Sequence, residues 1–187
     1  KHRRRWRPIV LGVVLPLLLL GYPLTVFGLA VGGWYREQSS ISKLTKRGHS
    51  VSDSIRTGPD WLVGRLPERF ARVFDRASVV NLGPTGTDAD LAECGKLSQL
   101  GRLELSGTQV TDAGLVHIKG LSKLGHLYLS QTQVTDAGLV HIKGLSQLRL
   151  LSLSQTQVTD AGLVHLKGLP NLELLNLRQT QVTDAGV

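Results

Sequence analysis

Three histidines stand at one interval in this chain: His117, His141 and His165, each 24 residues beyond the last. Imidazole is a common zinc ligand, so a regular row of histidines is the first arrangement to test for chemistry. A zinc site needs its nitrogens about 2.0–2.1 Å from one ion. Equivalent residues of successive units are separated by the packing of whole helical elements, about 8–10 Å. The row therefore reads as a solvated stripe. Asp112, Asp136, Asp160 and Asp184 repeat at the same interval, each in the sequence Thr-Asp-Ala-Gly. A carboxylate there suits the positive end of a helix better than it suits an acid–base pair. The glycine-rich stretch Gly83–Thr87 lacks the Lys-Ser/Thr that completes a phosphate loop. Cys94 is the only cysteine and has no partner for an internal disulfide. No Ser-His-Asp set, nucleophile elbow or metal motif appears. The expectation is a protein that is not an enzyme, with no metal and no cofactor.

The interval itself is the larger signal. Val110, Val134, Val158 and Val182 are each followed by Thr-Asp-Ala-Gly. Self-similarity at this period marks a solenoid. The units run 97–120, 121–144 and 145–168, with an incomplete 169–187 and a degenerate unit at 79–96. The first two full units differ only at Gln99/Lys123, Arg102/His126, Glu104/Tyr128 and Gly107/Gln131. In the unit 121–144 Leu127 and Leu129 alternate with His126, Tyr128 and Ser130, a period of two that predicts a short strand. The second half, Thr135 to Gly144, carries Leu139 and Ile142 at helical spacing. Thr135 or Asp136 can cap that helix. Gly144 is placed to end it in the left-handed conformation, with Lys143 in the last turn against the negative dipole end.

The pattern L-x-x-L-x-L-x-x-T-x-V, from Leu124 to Val134, resembles the leucine-rich repeat, with Thr108, Thr132, Thr156 and Thr180 replacing its usual Asn or Cys. The TDAGL variant is similar to F-box-type leucine-rich proteins and closer to tandem repeats of planctomycete bacteria. This resemblance implies an α/β fold: a curved solenoid with a parallel sheet on its concave face and short helices on its convex face.

Charge divides the chain. Residues 1–78 hold 14 Lys+Arg against 5 Asp+Glu, whereas residues 79–187 hold 8 against 9. A near-neutral solenoid gives no reason to expect nucleic acid as a partner. Residues 1–7 are a basic cluster, and residues 8–35 contain no charged side chain. That run is long enough for a transmembrane helix, with Trp6, Trp34 and Tyr35 at its edges. The expected topology is single-pass, with the N-terminus cytoplasmic, the bilayer contacting residues 8–35 and the repeats outside. The alternative is a signal peptide cleaved after Gly28-Leu29-Ala30, leaving a secreted protein.

Residues 36–57 are polar and Ser-rich and read as a linker. Residues 58–78 carry Trp61, Leu62, Leu66, Phe70, Val73 and Phe74 at helical spacing, which predicts a helical cap over the first repeat. Within the degenerate unit, Val79 takes the strand position of Leu103, and Cys94 falls on the buried column of Ile118. The incomplete fourth unit leaves Leu172, Leu175, Leu177 and Val182 without a following helix, so further units and a cap are expected beyond it.

Variation between units concentrates on the strand face. One row runs Arg102, His126, Leu150, Leu174; the next runs Glu104, Tyr128, Ser152, Asn176; a third runs Ser106, Ser130, Ser154, Arg178. A constant scaffold with a changing display suits a binding surface for another protein. Its candidate residues are Arg102, Glu104, His126, Tyr128, Ser130, Arg149, Leu150, Ser152, Leu174, Asn176 and Arg178. A cell-envelope spacer with no tight ligand, or a sensor arm of a longer protein, are the other expectations.

Overall fold

The computed structural model describes residues 24–56 and 75–186. The basic cluster at 1–7, the apolar run as far as residue 23 and most of the expected cap at 58–78 lie outside the described residues. Helix α1 (Leu24–Lys46) leads into strand β1 (Ser50–Arg56). Strand β2 (Asp75–Asn81) and helix α2 (Asp88–Cys94) form the first unit. Strands β3 (Arg102–Glu104), β4 (His126–Tyr128), β5 (Leu150–Ser152) and β6 (Leu174–Asn176) follow. They are separated by one-turn helices α3 (Asp112–Leu115), α4 (Asp136–Leu139) and α5 (Asp160–Leu163). The strands make one sheet in chain order. Strand β1 is antiparallel to β2, and every later pair is parallel. This is the layout of a leucine-rich repeat solenoid.

The 24-residue spacing becomes register. Leu103 pairs with Leu127, Leu127 with Leu151 and Leu151 with Leu175. Leu103, Leu105, Val110, Leu115, Ile118 and Leu124 point inward and are fully buried, as are their counterparts Leu127, Leu129, Val134, Leu139, Ile142 and Leu148 in the next unit. Leu175, at the end of the Leu103 column, is 39% exposed, and Leu172, Leu177 and Val182 are only partly covered.

Side chains of the TDAG segment tie unit to unit. The Asp112 carboxylate accepts from the Thr135 N–H at 2.8 Å and the Thr135 hydroxyl at 2.6 Å. Asp88 holds Thr111 in this way, Asp136 holds Thr159 and Asp160 holds Thr183. Each threonine also accepts from the amide two residues on, Ala137 in the case of Thr135, and so caps its own helix. The aspartates thus serve the helix start of the next unit rather than their own. Glycine makes room for them: a Cβ on Gly138 would overlap the Asp112 carboxylate, and Gly114, Gly162 and Gly186 are placed likewise. The threonines that replace Asn turn inward. Thr132 donates to the Leu129 carbonyl at 2.7 Å, closing the turn after the strand, and Thr108, Thr156 and Thr180 do the same.

Several expectations require correction. Gly144 is not left-handed, and Lys143 lies beyond the helix. The one-turn helix passes straight into further turns, Ile142 bonding back to Leu139 and Leu145 to Ile142, so no left-handed cap is needed. Within the repeats positive φ falls instead after the strands, at Gly107, Gln131, Gln155 and Gln179. Val80, not Val79, pairs with Leu103. The first unit is one residue shorter between strand and helix, so Gly86 stands in the column of Val110. A Cβ there would meet the Leu82 Cβ at 2.8 Å, and only glycine fits the tightened loop.

The segment read as a polar linker is structured. Helix α1 runs unbroken through it to Lys46, and β1 extends the sheet. Among the described residues no helix is long and apolar enough to cross a membrane, because charged residues enter α1 from Arg36 onward. Its C-terminal half covers the solenoid end instead. Leu44 is fully buried in the core, with Ile41 and Val51 packed against it. Glu37 accepts from the Ser98 amide and hydroxyl at 3.1 and 2.7 Å. Glu93 on α2 receives Ser40 at 2.9 Å, Lys43 at 2.8 Å and Lys96 at 2.9 Å. Arg47 meets Asp90 at 2.5 Å.

Asp90 solves a problem peculiar to a first unit. Among the described residues no earlier aspartate holds Thr87. Asp90 occupies the column of Gly114, and its carboxylate takes the Thr87 amide at 3.1 Å and hydroxyl at 2.7 Å. Burial works against its ionisation, but the hydrogen bonds from Arg47 and Thr87 outweigh burial and hold its carboxyl below the usual range.

Burial also opposes ionisation of Glu93, yet Lys43, Lys96 and Ser40 bring it from 4.5 down to about 2. A depressed carboxylate stabilises the fold above its unfolded pKa, and that stabilisation is lost as pH falls through the folded value. The shift corresponds to on the order of 3 kcal/mol. We expect Glu93→Gln to lower hydrogen-exchange protection of β1 and β2 near neutral pH, and the gap from wild type to shrink as pH falls from 4.5 toward 2. A gap that stays constant over that range would contradict the assigned ion pairs.

Candidate functional site

Strands three residues long leave one inward and two outward side chains each. Leu103, Leu127 and Leu151 take the inward place. The outward residues stand in two straight rows set by strand pairing: Arg102, His126, Leu150 and Leu174, then Glu104, Tyr128, Ser152 and Asn176. Neighbouring strands in a sheet lie about 4.8 Å apart, which sets the spacing along each row.

The rows interact along their length. The Arg102 guanidinium sits over the Tyr128 ring, 4.7 Å from its centroid, an attraction between cation and ring quadrupole. Its other neighbour is Glu104, at 3.9 Å. Glu104 also accepts from the Ser106 hydroxyl at 2.5 Å. Ser130 and Ser152 share a hydrogen bond of 2.8 Å, and Asn176 donates to Ser152 at 3.2 Å. The Asn176 side chain accepts from the Arg178 amide at 3.1 Å. Arg149 faces Glu173 at 3.9 Å.

Of the eleven candidates, ten reach the surface and one does not. Ser152 is buried between Ser130 and Asn176; its small side chain lets its neighbours close over it. Arg102, His126, Arg149, Leu174, Asn176 and Arg178 are exposed, and Glu104, Tyr128, Ser130 and Leu150 are partly so. Leu150, Leu174 and Tyr128 line an open cleft of about 260 Å³ with Ser152 and Asn176 at its side. Leu174 is 62% exposed, which makes this the apolar part of the face.

Beside the start of β3 and β4 lies a second depression, of about 380 Å³, lined by Arg102, Lys123, His126 and Arg149 around Gly101 and Gly125. Lys123 escapes a reading confined to strand residues, because it belongs to the turn before the strand. Its signal is present in the sequence: the third position of the unit, Gln99 against Lys123, is one of the four that differ between the first two full units.

Other features serve structure. Cys94 is fully buried, and burial with nearby Asp90 pushes its thiol up to about 12, which makes it inert. The histidine row lies on the helix side, His117 exposed and His141 and His165 partly so. Among the described residues no three His, Cys, Asp or Glu side chains lie close enough to hold a metal ion. Gln131 donates its amide to Gln155 at 2.6 Å, and Gln155 bonds Gln179 in turn, an exposed ladder along the left-handed turns.

No family model matches the chain, and no curated protein matches it. Solved structures similar to it include an internalin C2 from Listeria monocytogenes, 27% identical over 67% of this chain and 63% of that one, with a TM-score of 0.43. An internalin (inlF) from the same bacterium is 24% identical over 50% of this chain and 33% of that one, with a TM-score of 0.36. The chain thus spans less than two thirds of either.

Proposed function

We propose that this solenoid is a protein-interaction module whose strand face meets the partner, and that residues 8–35 anchor it in a membrane with the repeats outside. The observation that supports the first part is the pairing of constant and changing rows. Leucine fills the inward place of β3 to β6, while the outward rows pass from charged to aromatic to apolar within four strands. Tyr128 stands near the middle, with Arg102 stacked on it and an apolar cleft beside it. Tyr and Arg are among the residue types that most often anchor protein interfaces. A spacer would not call for a changing outward display on a constant scaffold.

The anchoring reading rests on the charge-free run after a basic cluster. Helix α1 adds a consequence. It continues from Leu24 without a break into residues that pack on the first unit, so an anchored chain carries its repeats close to the lipid rather than on a flexible stalk. A topology reporter joined after Thr57 is expected to be active only outside the cytoplasm. Activity confined to the cytoplasm would overturn the orientation, and a mature N-terminus at Val31 would replace the anchor with a cleaved signal.

For the interface, Tyr128→Ala is expected to reduce capture of a cross-linked partner by about tenfold or more, the loss typical of an interface anchor. His117→Ala, on the opposite side, leaves capture unchanged. Circular dichroism of both variants checks that they remain folded. Equal effects of the two substitutions, or no effect of either, would argue for a spacer.

A further inference from the structure

The depression at the start of β3 and β4 is not required by the fold. Gly101, Gly125, Arg149 and Glu173 occupy the same place in successive units. Neither Gly101 nor Gly125 has positive φ. A Cβ on Gly101 would meet only the Ser78 carbonyl at 3.7 Å, and one on Gly125 would meet carbonyls at 3.6 Å. Those are ordinary contacts, and the next two units carry long side chains at this place. Two missing side chains open a hollow of about 380 Å³.

Positive charge rings that hollow. Arg102, Lys123 and Arg149 come from three successive units, and His126 stands between them. No acidic side chain lines it among the described residues. The nearest acidic contacts, Glu104 to Arg102 and Glu173 to Arg149, are both 3.9 Å and fall outside hydrogen-bond range. Lys123 makes no ion pair among the described residues. The backbone is already used: the amides of Gly125 and His126 bond the Gly101 carbonyl, and those of Arg149 and Leu150 bond the Gly125 carbonyl. A ligand must therefore be held by the cationic side chains, whose guanidinium forks suit oxyanions.

We propose that this hollow binds the carboxylates of an acidic segment of the partner protein, which lies extended across the strands. The assignment rests on the strand-face reading above and names the chemistry of its partner. A polypeptide is favoured over a longer polyanion by two observations. Residues 79–187 carry 8 Lys+Arg against 9 Asp+Glu, so positive charge is local and offers no extended track. The apolar cleft continues the same row, His126 registering with Leu150 and Leu150 with Leu174. Two strand spacings are roughly 10 Å, about three residues of extended chain. An acidic residue in the hollow thus puts an apolar one, three positions along, against Leu150 and Leu174.

The probe is fluorescent hexaglutamate, titrated by anisotropy against the full chain and its Gly125→Glu and Gly144→Glu variants. Gly125→Glu fills the hollow and reverses its charge. Gly144→Glu adds the same charge at an open position with nothing within 4 Å of its Cβ. Hexaglutamate is expected to bind, to weaken with rising salt and to lose about tenfold or more in Gly125→Glu, while Gly144→Glu changes it little. No binding, or equal losses in both variants, would overturn the assignment. So would a heparin-derived hexasaccharide that binds in a manner dependent on Gly125 when hexaglutamate does not. Failure here leaves a Tyr128-dependent partner intact, whereas insensitivity of partner capture to Tyr128→Ala sinks the broader reading and leaves hexaglutamate binding intact.

Discussion

One carboxylate per unit, passed to the threonine of the next, is the contact on which this solenoid depends. Apolar stacking supplies most of the stabilisation, because leucine columns run through every unit. Stacking alone does not fix where one unit sits on another. The Asp–Thr contact does, since both carboxylate oxygens are engaged by groups of a single residue. Hydrogen bonds to a charged group contribute about 1.5–3 kcal/mol each. The threonine then caps its own helix, so one aspartate in a unit organises the next helix start. The glycine three residues after that threonine is the necessary gap. The Thr-Asp-Ala-Gly repeat is therefore one device spread over two units, which explains why its letters vary so little.

The first unit shows the same constraint in a different form. Among the described residues no earlier aspartate holds its threonine, and it places Asp90 where the others keep glycine, so the carboxylate comes from within. The free side of Asp90 is taken by Arg47 from the covering segment. Substituting Asp for Gly removes the gap and supplies the missing ligand at once. At the other end of the described chain, Leu175 stays partly exposed where its counterparts are sealed.

Much of this was legible in the sequence, because it is periodic. A 24-residue interval predicts strand register, inward leucines and the outward rows, and strand pairing aligns two of those rows, Arg102 to Leu174 and Glu104 to Asn176. What was not legible depends on contacts between units or on non-periodic chain. That the aspartates act forward on Thr111, Thr135, Thr159 and Thr183 needs the spatial neighbour, which a single unit does not show. Gly86 in the Val110 column follows from a one-residue shortening that shifts the strand from Val79 to Val80. Residues 36–56 lack a sustained apolar stripe, and their structure is imposed by docking: Leu44 is buried in the core, and Glu37 and Ser40 meet partners some fifty to sixty residues away in sequence. On the strand face, the display was readable but the burial of Ser152 was not, because it depends on what Ser130 and Asn176 do.

The recognition surface follows from that framework. Rigid units hold short strands in register, so each outward side chain has a fixed neighbour. Charge gathers where two glycines leave space and apolar surface gathers two strands further on. The claim that the Asp–Thr contact sets this framework is tested most directly by a double-mutant cycle on Asp136 and Thr159, read as unfolding free energy. The account predicts a coupling of about 1.5 kcal/mol or more, against nearly none for the exposed Gln131–Gln155 pair. Additivity within about 0.5 kcal/mol for Asp136 and Thr159 would contradict it.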